Sequence, residues 1–84
     1  MIEFQDFYIL ARGYLADQLD INADSITLET SFEDIDADSI DIVEMIMALE
    51  DKYDVEFPED ELDDFKTMGQ LVRALYDYLV QAKS

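Results

Sequence analysis

Apolar residues in this chain recur every three or four positions in three separate stretches, and this spacing is the period of an amphipathic α-helix. It predicts helices over about residues 3–19, 39–53 and 67–81. Two glycines and one proline are too few to divide 84 residues into linked units. We therefore predict a single domain, residues 1–84, that folds as a small all-α bundle.

The apolar positions also predict which side of each helix faces the core. The first helix carries an unusually aromatic stripe, which we interpret as buried surface because rings at helical spacing are typical of a core. The predicted inward residues are Phe7, Leu10, Ala11, Tyr14, Leu15 and Leu19 in the first helix, Ile42, Met45, Ile46, Leu49 and Tyr53 in the second, and Met68, Leu71, Val72, Leu75 and Leu79 in the last. Thr67 and Gln70 match a capping box at the start of the last helix.

The segments between these helices carry weaker signals. Periodicity fades between residues 20 and 36, so we expect a long loop there, with one short helical turn that starts at Asp24-Ser25 or Thr30-Ser31. The apolar residues expected to hold this loop to the core are Ile21, Ile26, Leu28, Phe32 and Ile35. After Pro58 a short third helix is predicted over residues 59–65. The predicted fold is thus a four-helix bundle with three longer helices and a short third one.

Charge and missing residue types exclude several functions. Twenty-two acidic against five basic residues give a net charge of −17, which repels nucleic acid and favours partners with basic patches. Without cysteine or histidine, disulfides, thiolate chemistry, histidine catalysis and the common zinc motifs are excluded. No signal peptide or membrane span is recognisable. We expect a cytoplasmic monomer.

The run IDADSID, residues 35–41, combines helix-start chemistry with a single hydroxyl. Asp38 is a good N-cap, because its carboxylate can accept the free N–H groups of a first helical turn. Ser39 then stands at the first helical position, beside the positive end of the helix dipole, where a phosphate is favoured. Ser39 is therefore a candidate attachment point for a phosphate-linked group, although an arbitrary Asp-Ser pair is more often a plain helix start.

This run and the residues after it resemble the acyl carrier protein family. The resembling residues are Asp38-Ser39-Ile40-Asp41, Val43-Glu44, Met47-Ala48-Leu49-Glu50, Tyr53-Asp54 and Phe57-Pro58. The likeness extends from about Leu15 to Leu79. In that family a D-S-L motif opens the second helix and its serine carries a 4′-phosphopantetheine arm. Here Ile40 replaces the usual Leu and Asp36 stands where Gly is common, and both departures leave the serine intact.

The resemblance implies a carrier and not an enzyme. A phosphopantetheinyl transferase would move the arm from coenzyme A onto Ser39. The arm would then hold acyl groups as thioesters between enzymes of fatty-acid, polyketide or related synthesis. Ser39 has no histidine or lysine base nearby in sequence, so another enzyme must activate it.

Two further sets of residues are expected to serve this function. The outer face of the second helix would bind acyl-loading, elongating or transferring enzymes, with carboxylates attracting their basic patches and small apolar side chains adding contact. The predicted partner-binding residues are Ile40, Asp41, Val43, Glu44, Met47, Glu50 and Asp51. The predicted cavity for the acyl chain is formed by Ile42, Ile46, Leu49, Phe57, Leu62, Phe65, Met68 and Leu71. The alternative to a cavity is an ordinary dry core.

Two other functions stay open at this point. One is an aminoacyl or D-alanyl-type carrier; the other is an unmodified acidic bundle that binds cations or acts as an adaptor. Asp34, Asp36 and Asp38 alternate as the first ligands of an EF-hand do. However, Ser39 then stands where glycine is needed and Met45 where a bidentate glutamate is needed. We predict no defined metal site.

Overall fold

The computed structural model describes residues 2–58 and 65–83. In this part of the chain it contains three α-helices, α1 (Phe4–Leu19), α2 (Ser39–Tyr53) and α3 (Met68–Lys83), and one 3₁₀ turn, Ala23–Ser25. The all-helical prediction is confirmed, and no strand is present among the described residues. α2 begins and ends where the sequence predicts, and the short turn forms at the first of its two predicted places.

The predicted third helix, residues 59–65, falls almost entirely outside the described residues. This includes Leu62. Phe65 is described, and it is half-buried and not helical. The short helix therefore stays a prediction.

One hydrophobic core joins the three helices and their connections. Every inward position predicted for α3 is buried, and those predicted for α1 and α2 are buried or half-buried. The buried residues are Phe7, Tyr8, Ala11, Leu15 and Ala16 of α1, Met45, Ile46 and Leu49 of α2, Met68, Leu71, Val72, Leu75 and Leu79 of α3, and Ile26, Phe32 and Phe57 of the connections. The helical period thus predicts most of this core.

The buried face of α1 is wider than the predicted stripe, because Tyr8 and Ala16 are also buried. α1 contacts α2, α3 and the 3₁₀ turn, so the connection covers a side of the helix that the stripe leaves open. The Tyr8 hydroxyl donates a buried hydrogen bond of 3.0 Å to the carbonyl of Ile26. This bond satisfies both polar groups and lets a tyrosine lie inside.

Two of the five residues expected to hold the long connection in the core are instead exposed. Ile21 is 37% and Leu28 39% exposed. Asp20 takes a left-handed conformation at the end of α1 and reverses the chain, which leaves Ile21 on the surface with its N–H bonded to Ala16. Leu28 lies against the backbone at Gly69 and not in the core. The prediction for these two side chains is wrong.

Backbone hydrogen bonds fasten this connection to the start of α3. The N–H groups of Gly69 and Met68 donate to the carbonyls of Leu28 and Thr30, at 2.7 and 2.9 Å. Phe32 donates to the carbonyl of Lys66 at 3.0 Å. Because the first N–H groups of a helix have no partner within it, these bonds order the connection and complete the start of α3 together.

The predicted capping box of α3 is confirmed. The N–H of Gln70 donates to the Thr67 hydroxyl at 3.2 Å, and the N–H of Thr67 donates to the side-chain oxygen of Gln70 at 3.3 Å. Side-chain and loop acceptors together therefore satisfy the first turn of α3.

The N-terminal end of α1 is held to α3 by aromatic contacts. The ring of Phe4 meets Tyr76 edge to face, with centroids 5.3 Å apart, and the Arg73 guanidinium lies 4.0 Å from the Phe4 centroid. At the opposite end of α3, the Lys83 amine donates to the carbonyl of Asp54 at 3.0 Å, just after α2. No helix in the described part of the chain is long and apolar enough to cross a membrane.

Replacing each of the two glycines by alanine is expected to change the free energy of unfolding in opposite directions. No heavy atom lies within 4 Å of where a Cβ on Gly13 would stand, so we expect Gly13→Ala to raise the free energy of unfolding by about 0.5–1 kcal/mol. A Cβ on Gly69 would lie 2.6 Å from the Leu28 carbonyl oxygen, so Gly69→Ala should lower it by about 1–3 kcal/mol. Urea denaturation followed by circular dichroism measures both. Equal shifts would contradict this packing.

A second prediction concerns Tyr53. Burial raises the pKa of its phenol above the ordinary value, and the nearby Asp6 and Tyr14 add to the rise. Because the folded state then holds this proton more tightly than the unfolded state, the contribution to stability is complete below about pH 10 and is lost as the pH rises through the folded-state pKa.

We therefore expect the free energy of unfolding of Tyr53→Phe to fall less than that of the wild type as the pH rises above about 10. Urea titrations at several pH values measure the difference. Tyr78→Phe, which changes an exposed tyrosine, is the matched control and should follow the wild type. Equal alkaline losses for the wild type and Tyr53→Phe would refute the prediction.

Candidate functional site

Asp38 caps the start of α2 as predicted. Its backbone is extended, and its Oδ1 atom accepts hydrogen bonds from the N–H groups of Ile40 and Asp41, both at 3.0 Å. The Asp41 carboxylate in turn accepts the N–H of Asp38 at 3.2 Å, which completes a capping box. Asp41, expected only as a partner-binding residue, thus also fixes the helix start.

Ser39 is the first residue of α2, and it is exposed. Three serines lie in the part of the chain that the structure describes, and two of their hydroxyls are bonded within the protein. The Ser25 hydroxyl donates to the carbonyl of Asn22 at 2.6 Å, and that of Ser31 accepts the N–H of Glu33 at 3.2 Å. Among the described residues no hydrogen bond engages the Ser39 hydroxyl, which therefore stands in solvent at the positive end of the helix.

The turn before the motif explains one departure from the resembling family. Asp36 has φ of 55°, in the left-handed region that glycine adopts without a steric cost. Aspartate is among the few other residue types that tolerate it, so Asp36 keeps the turn that leads into Asp38. Among the residues that the structure describes, no cluster of three acidic side chains is arranged to hold a metal ion.

The apolar residues on the outer face of α2 are exposed to solvent. Ile40 is 66%, Val43 44% and Met47 52% exposed, beside the exposed carboxylates of Glu44 and Asp51. A groove of about 620 Å³ lies along the second half of this face. It is lined by Glu44, Met47, Ala48, Glu50, Asp51, Asp54, Val55 and Glu56.

The predicted partner-binding set lacks Ala48 of α2, and it also lacks the three groove residues that follow this helix, Asp54, Val55 and Glu56. The last three become part of the face because Asp54 is left-handed, with φ of 54°, and turns the chain back beside the end of α2. An aspartate that directly follows a helix favours such a turn, so Asp54 is a signal for it that the sequence contains.

Glu50 differs from the other acidic residues of this face. It is half-buried, and its Oε2 atom accepts the N–H of Phe57 at 2.8 Å. This carboxylate therefore has an internal partner, in contrast to the predicted role in partner binding alone.

The predicted cavity residues that the structure describes lie together in the core. Ile46, Leu49, Phe57, Met68 and Leu71 are buried in one cluster, against which Ile42 and Phe65 pack. Leu62 lies outside the described residues. Beside this cluster a pocket of about 240 Å³ opens between α3 and the segment after α2, and Phe57, Phe65 and Leu75 are among the residues that line it.

A capped helix start with an exposed serine, followed by an acidic helix face, is the arrangement that the resemblance to acyl carrier proteins implies. Residues 11–75 match the family model described as a phosphopantetheine attachment site. The chain is 45% identical over 68 residues to an acyl carrier protein of Clostridium perfringens, covering 80% of this chain and 90% of that relative.

Two further relatives have the same description. The chain is 38% identical over 72 residues to an acyl carrier protein of a Picosynechococcus species, covering 84% of this chain and 89% of the relative. It is 49% identical over 62 residues to that of Clostridium acetobutylicum, covering 73% and 80%. The chain belongs to the acyl carrier protein family, and its prosthetic group is 4′-phosphopantetheine.

The cap on α2 yields a prediction about stability. Asp38→Ala should lower the free energy of unfolding by about 1 kcal/mol, because two N–H groups of the first turn lose their acceptor, and Asp38→Asn should cost less because asparagine is also a good N-cap. Asp34→Ala removes an exposed carboxylate from the connection and controls for the change in charge. Urea denaturation is the measurement. Similar values for Asp38→Ala and Asp34→Ala would contradict the cap.

Proposed function

We propose that Ser39 is the residue that accepts the 4′-phosphopantetheine arm. The observation that supports this most directly is the exposed hydroxyl at the first position of a capped helix, inside the region that matches the attachment-site family. The N–H groups of Ile40 and Asp41 are taken by Asp38, and the helix dipole adds positive potential at the same end. This dipole would favour a phosphodiester on Ser39, while the two N–H groups bonded to Asp38 are already occupied.

The bound arm would supply the thiol that this cysteine-free chain lacks, and acyl groups would travel on it as thioesters. Ser39 has no histidine to activate it, since the chain contains none. A separate phosphopantetheinyl transferase would therefore remove the hydroxyl proton, and the Ser39 oxygen would attack the phosphopantetheinyl phosphorus of coenzyme A, which breaks the pyrophosphate bond and releases adenosine 3′,5′-bisphosphate. The protein would act as a carrier and not as an enzyme, and it would deliver its cargo between acyl-loading, elongating or transferring enzymes.

The outer face of α2 is our proposed docking surface for these enzymes. It comprises Ile40, Asp41, Val43, Glu44, Met47, Glu50 and Asp51. The carboxylates would steer basic patches toward the helix, and the three exposed apolar side chains would add short-range contact. Met47, which lines the groove, lies about 12 Å along the helix from Ser39. An enzyme that binds the groove would therefore also reach the attachment point.

The core beside α2 is our proposed site for a sheltered acyl chain. The candidates are Ile42, Ile46, Leu49, Phe57, Leu62, Phe65, Met68 and Leu71, of which the described members share one cluster. Methionine adapts its shape readily, and Met45 and Met68 both lie in this core. An acyl chain that enters would displace contacts between these side chains.

Attachment is tested by intact-mass spectrometry after incubation of the protein with coenzyme A, magnesium and a broad-specificity phosphopantetheinyl transferase. We expect one phosphopantetheine group per chain in the wild type and none in Ser39→Ala. Ser25→Ala and Ser31→Ala are matched controls, because their hydroxyls are bonded within the protein. Both should accept the group as the wild type does.

Two results would contradict the proposal. One is the absence of any adduct on the folded wild-type protein. The other is an adduct that persists in Ser39→Ala, since the group would then be attached elsewhere. Circular dichroism of each variant shows whether a loss reflects the missing hydroxyl or a loss of folding.

A further inference from the structure

Gly13 lies in the middle of α1, and nothing in the described part of the chain requires a glycine there. Its backbone is helical and its φ is not positive. No side chain, and no backbone of another described element, lies within 4 Å of the place where its Cβ would stand. Because glycine weakens a helix interior relative to alanine, the fold gains nothing from it. What the glycine provides is an open notch in the surface of the helix.

Two exposed isoleucines lie along the same side of α1 as this notch. Ile9 precedes Gly13 by one turn and is 45% exposed. Ile21 follows the helix and is 37% exposed, and its N–H donates to the carbonyl of Ala16 at 3.0 Å. This is the bond of a Schellman motif, which returns Ile21 to the last turn of α1. Since Ala16 lies two turns after Ile9, the notch stands between the two isoleucines.

Carboxylates border this side of the helix. Asp6 and Asp17 are both exposed, and they lie at helical spacing before and after the notch. Arg12, the one basic residue in the sequence of α1, is held elsewhere. Its guanidinium lies 5.5 Å from the ring centroid of Tyr8 and 3.8 Å from the carboxylate of Asp24 in the 3₁₀ turn. The open side of α1 therefore attracts cations.

We call this surface the α1 strip, and a basic amphipathic helix matches it. It comprises Asp6, Ile9, Gly13, Asp17 and Ile21. Two helices approach more closely where the side chains between them are small, so the notch can receive a bulky apolar side chain that also covers the isoleucines. Asp6 and Asp17 are eleven residues apart in the sequence, which is about 16 Å along the axis. Two basic side chains at the same separation would reach both carboxylates.

Charge favours a separate basic protein over a second copy of this chain. Each copy carries a net charge of −17, and pairing two strips would bring carboxylates of both copies together. A basic helix meets no such repulsion. Because α1 and α2 pack against each other, the strip and the outer face of α2 lie on different sides of the bundle. A partner on the strip would therefore leave Ser39 uncovered.

We propose that the α1 strip is a second docking surface, which binds a basic amphipathic helix of a partner protein. The helix inserts an apolar side chain at Gly13 and pairs its basic residues with Asp6 and Asp17. Such docking would hold the carrier beside that partner while α2 and Ser39 stay accessible to other enzymes. The stability that glycine loses for the helix is retained as room for the partner.

The docking is tested by NMR titration of the unmodified protein with a synthetic helical peptide. The peptide carries two lysines about eleven residues apart and leucines between them on the same face. A peptide of the same composition in scrambled order controls for attraction by net charge alone. We expect the designed peptide, and not the scrambled one, to shift the amide resonances of Ile9, Gly13 and Asp17 in a saturable manner.

Variants of the strip separate docking from folding. Gly13→Leu fills the notch and should weaken binding at the strip at least about tenfold, because a well-fitted contact becomes overpacked. Ile9→Ser removes apolar contact and should weaken it about fivefold. Val80→Ser changes an exposed apolar residue of α3 and is the matched control, with binding within about twofold of the wild type. Circular dichroism checks that each variant is folded.

Four results would each overturn the proposal. The designed peptide could shift no amide of the strip, or the scrambled peptide could shift them equally. Folded Gly13→Leu and Ile9→Ser could both bind as tightly as the wild type. Finally, the resonances of the strip could shift with protein concentration in the absence of peptide, which would assign the surface to a second copy. None of these measurements uses phosphopantetheine, so attachment at Ser39 is tested separately.

Discussion

The carboxylate of Asp38 fixes the point at which an irregular connection ends and α2 begins. Because one oxygen accepts two N–H groups of the first turn, this helix end needs no covering by other parts of the chain. Ser39, the next residue, therefore stands free in solvent. The groove residues from Glu44 to Asp51 follow it on the same helix, so helix geometry sets their distance from the hydroxyl, whereas Asp54, Val55 and Glu56 line the groove from the turn after α2.

A chain of this length buries only about 60% of its unfolded surface, so its long connection must contribute to the core. Ile26 and Phe32 do so, and both are fully or almost fully buried. The backbone around them is satisfied by Tyr8 and by the start of α3, which turns a stretch without regular structure into an ordered layer. Hydrogen bonds thus hold the connection that leads to Asp38 at several points.

Sequence patterns predict the structural features that depend on residues close together in the chain. α2 has both a cap and a clear apolar period, so its bounds and Ser39 follow from residues within one element. The exposure of Leu28 depends on hydrogen bonds to a segment about forty residues away, which no local period encodes. Likewise, a half-exposed carboxylate such as Glu50 has the same appearance in sequence whether it meets a partner or holds a turn.

The acidic residues of this chain have two physical roles. Some of them stabilise turns and helix ends, and others provide negative charge at the surface. The three described residues with positive φ, Asp20, Asp36 and Asp54, are all aspartates, so turns that often use glycine add negative charge as well. Because aspartate has fewer unfolded conformations than glycine, such turns also cost less entropy to order. Asp38 and Glu50 accept backbone N–H groups, whereas Glu44 has no such bond among the residues that the structure describes. Substituting Asp38 or Glu50 removes backbone hydrogen bonds, whereas substituting Glu44 changes the electrostatic field at the surface.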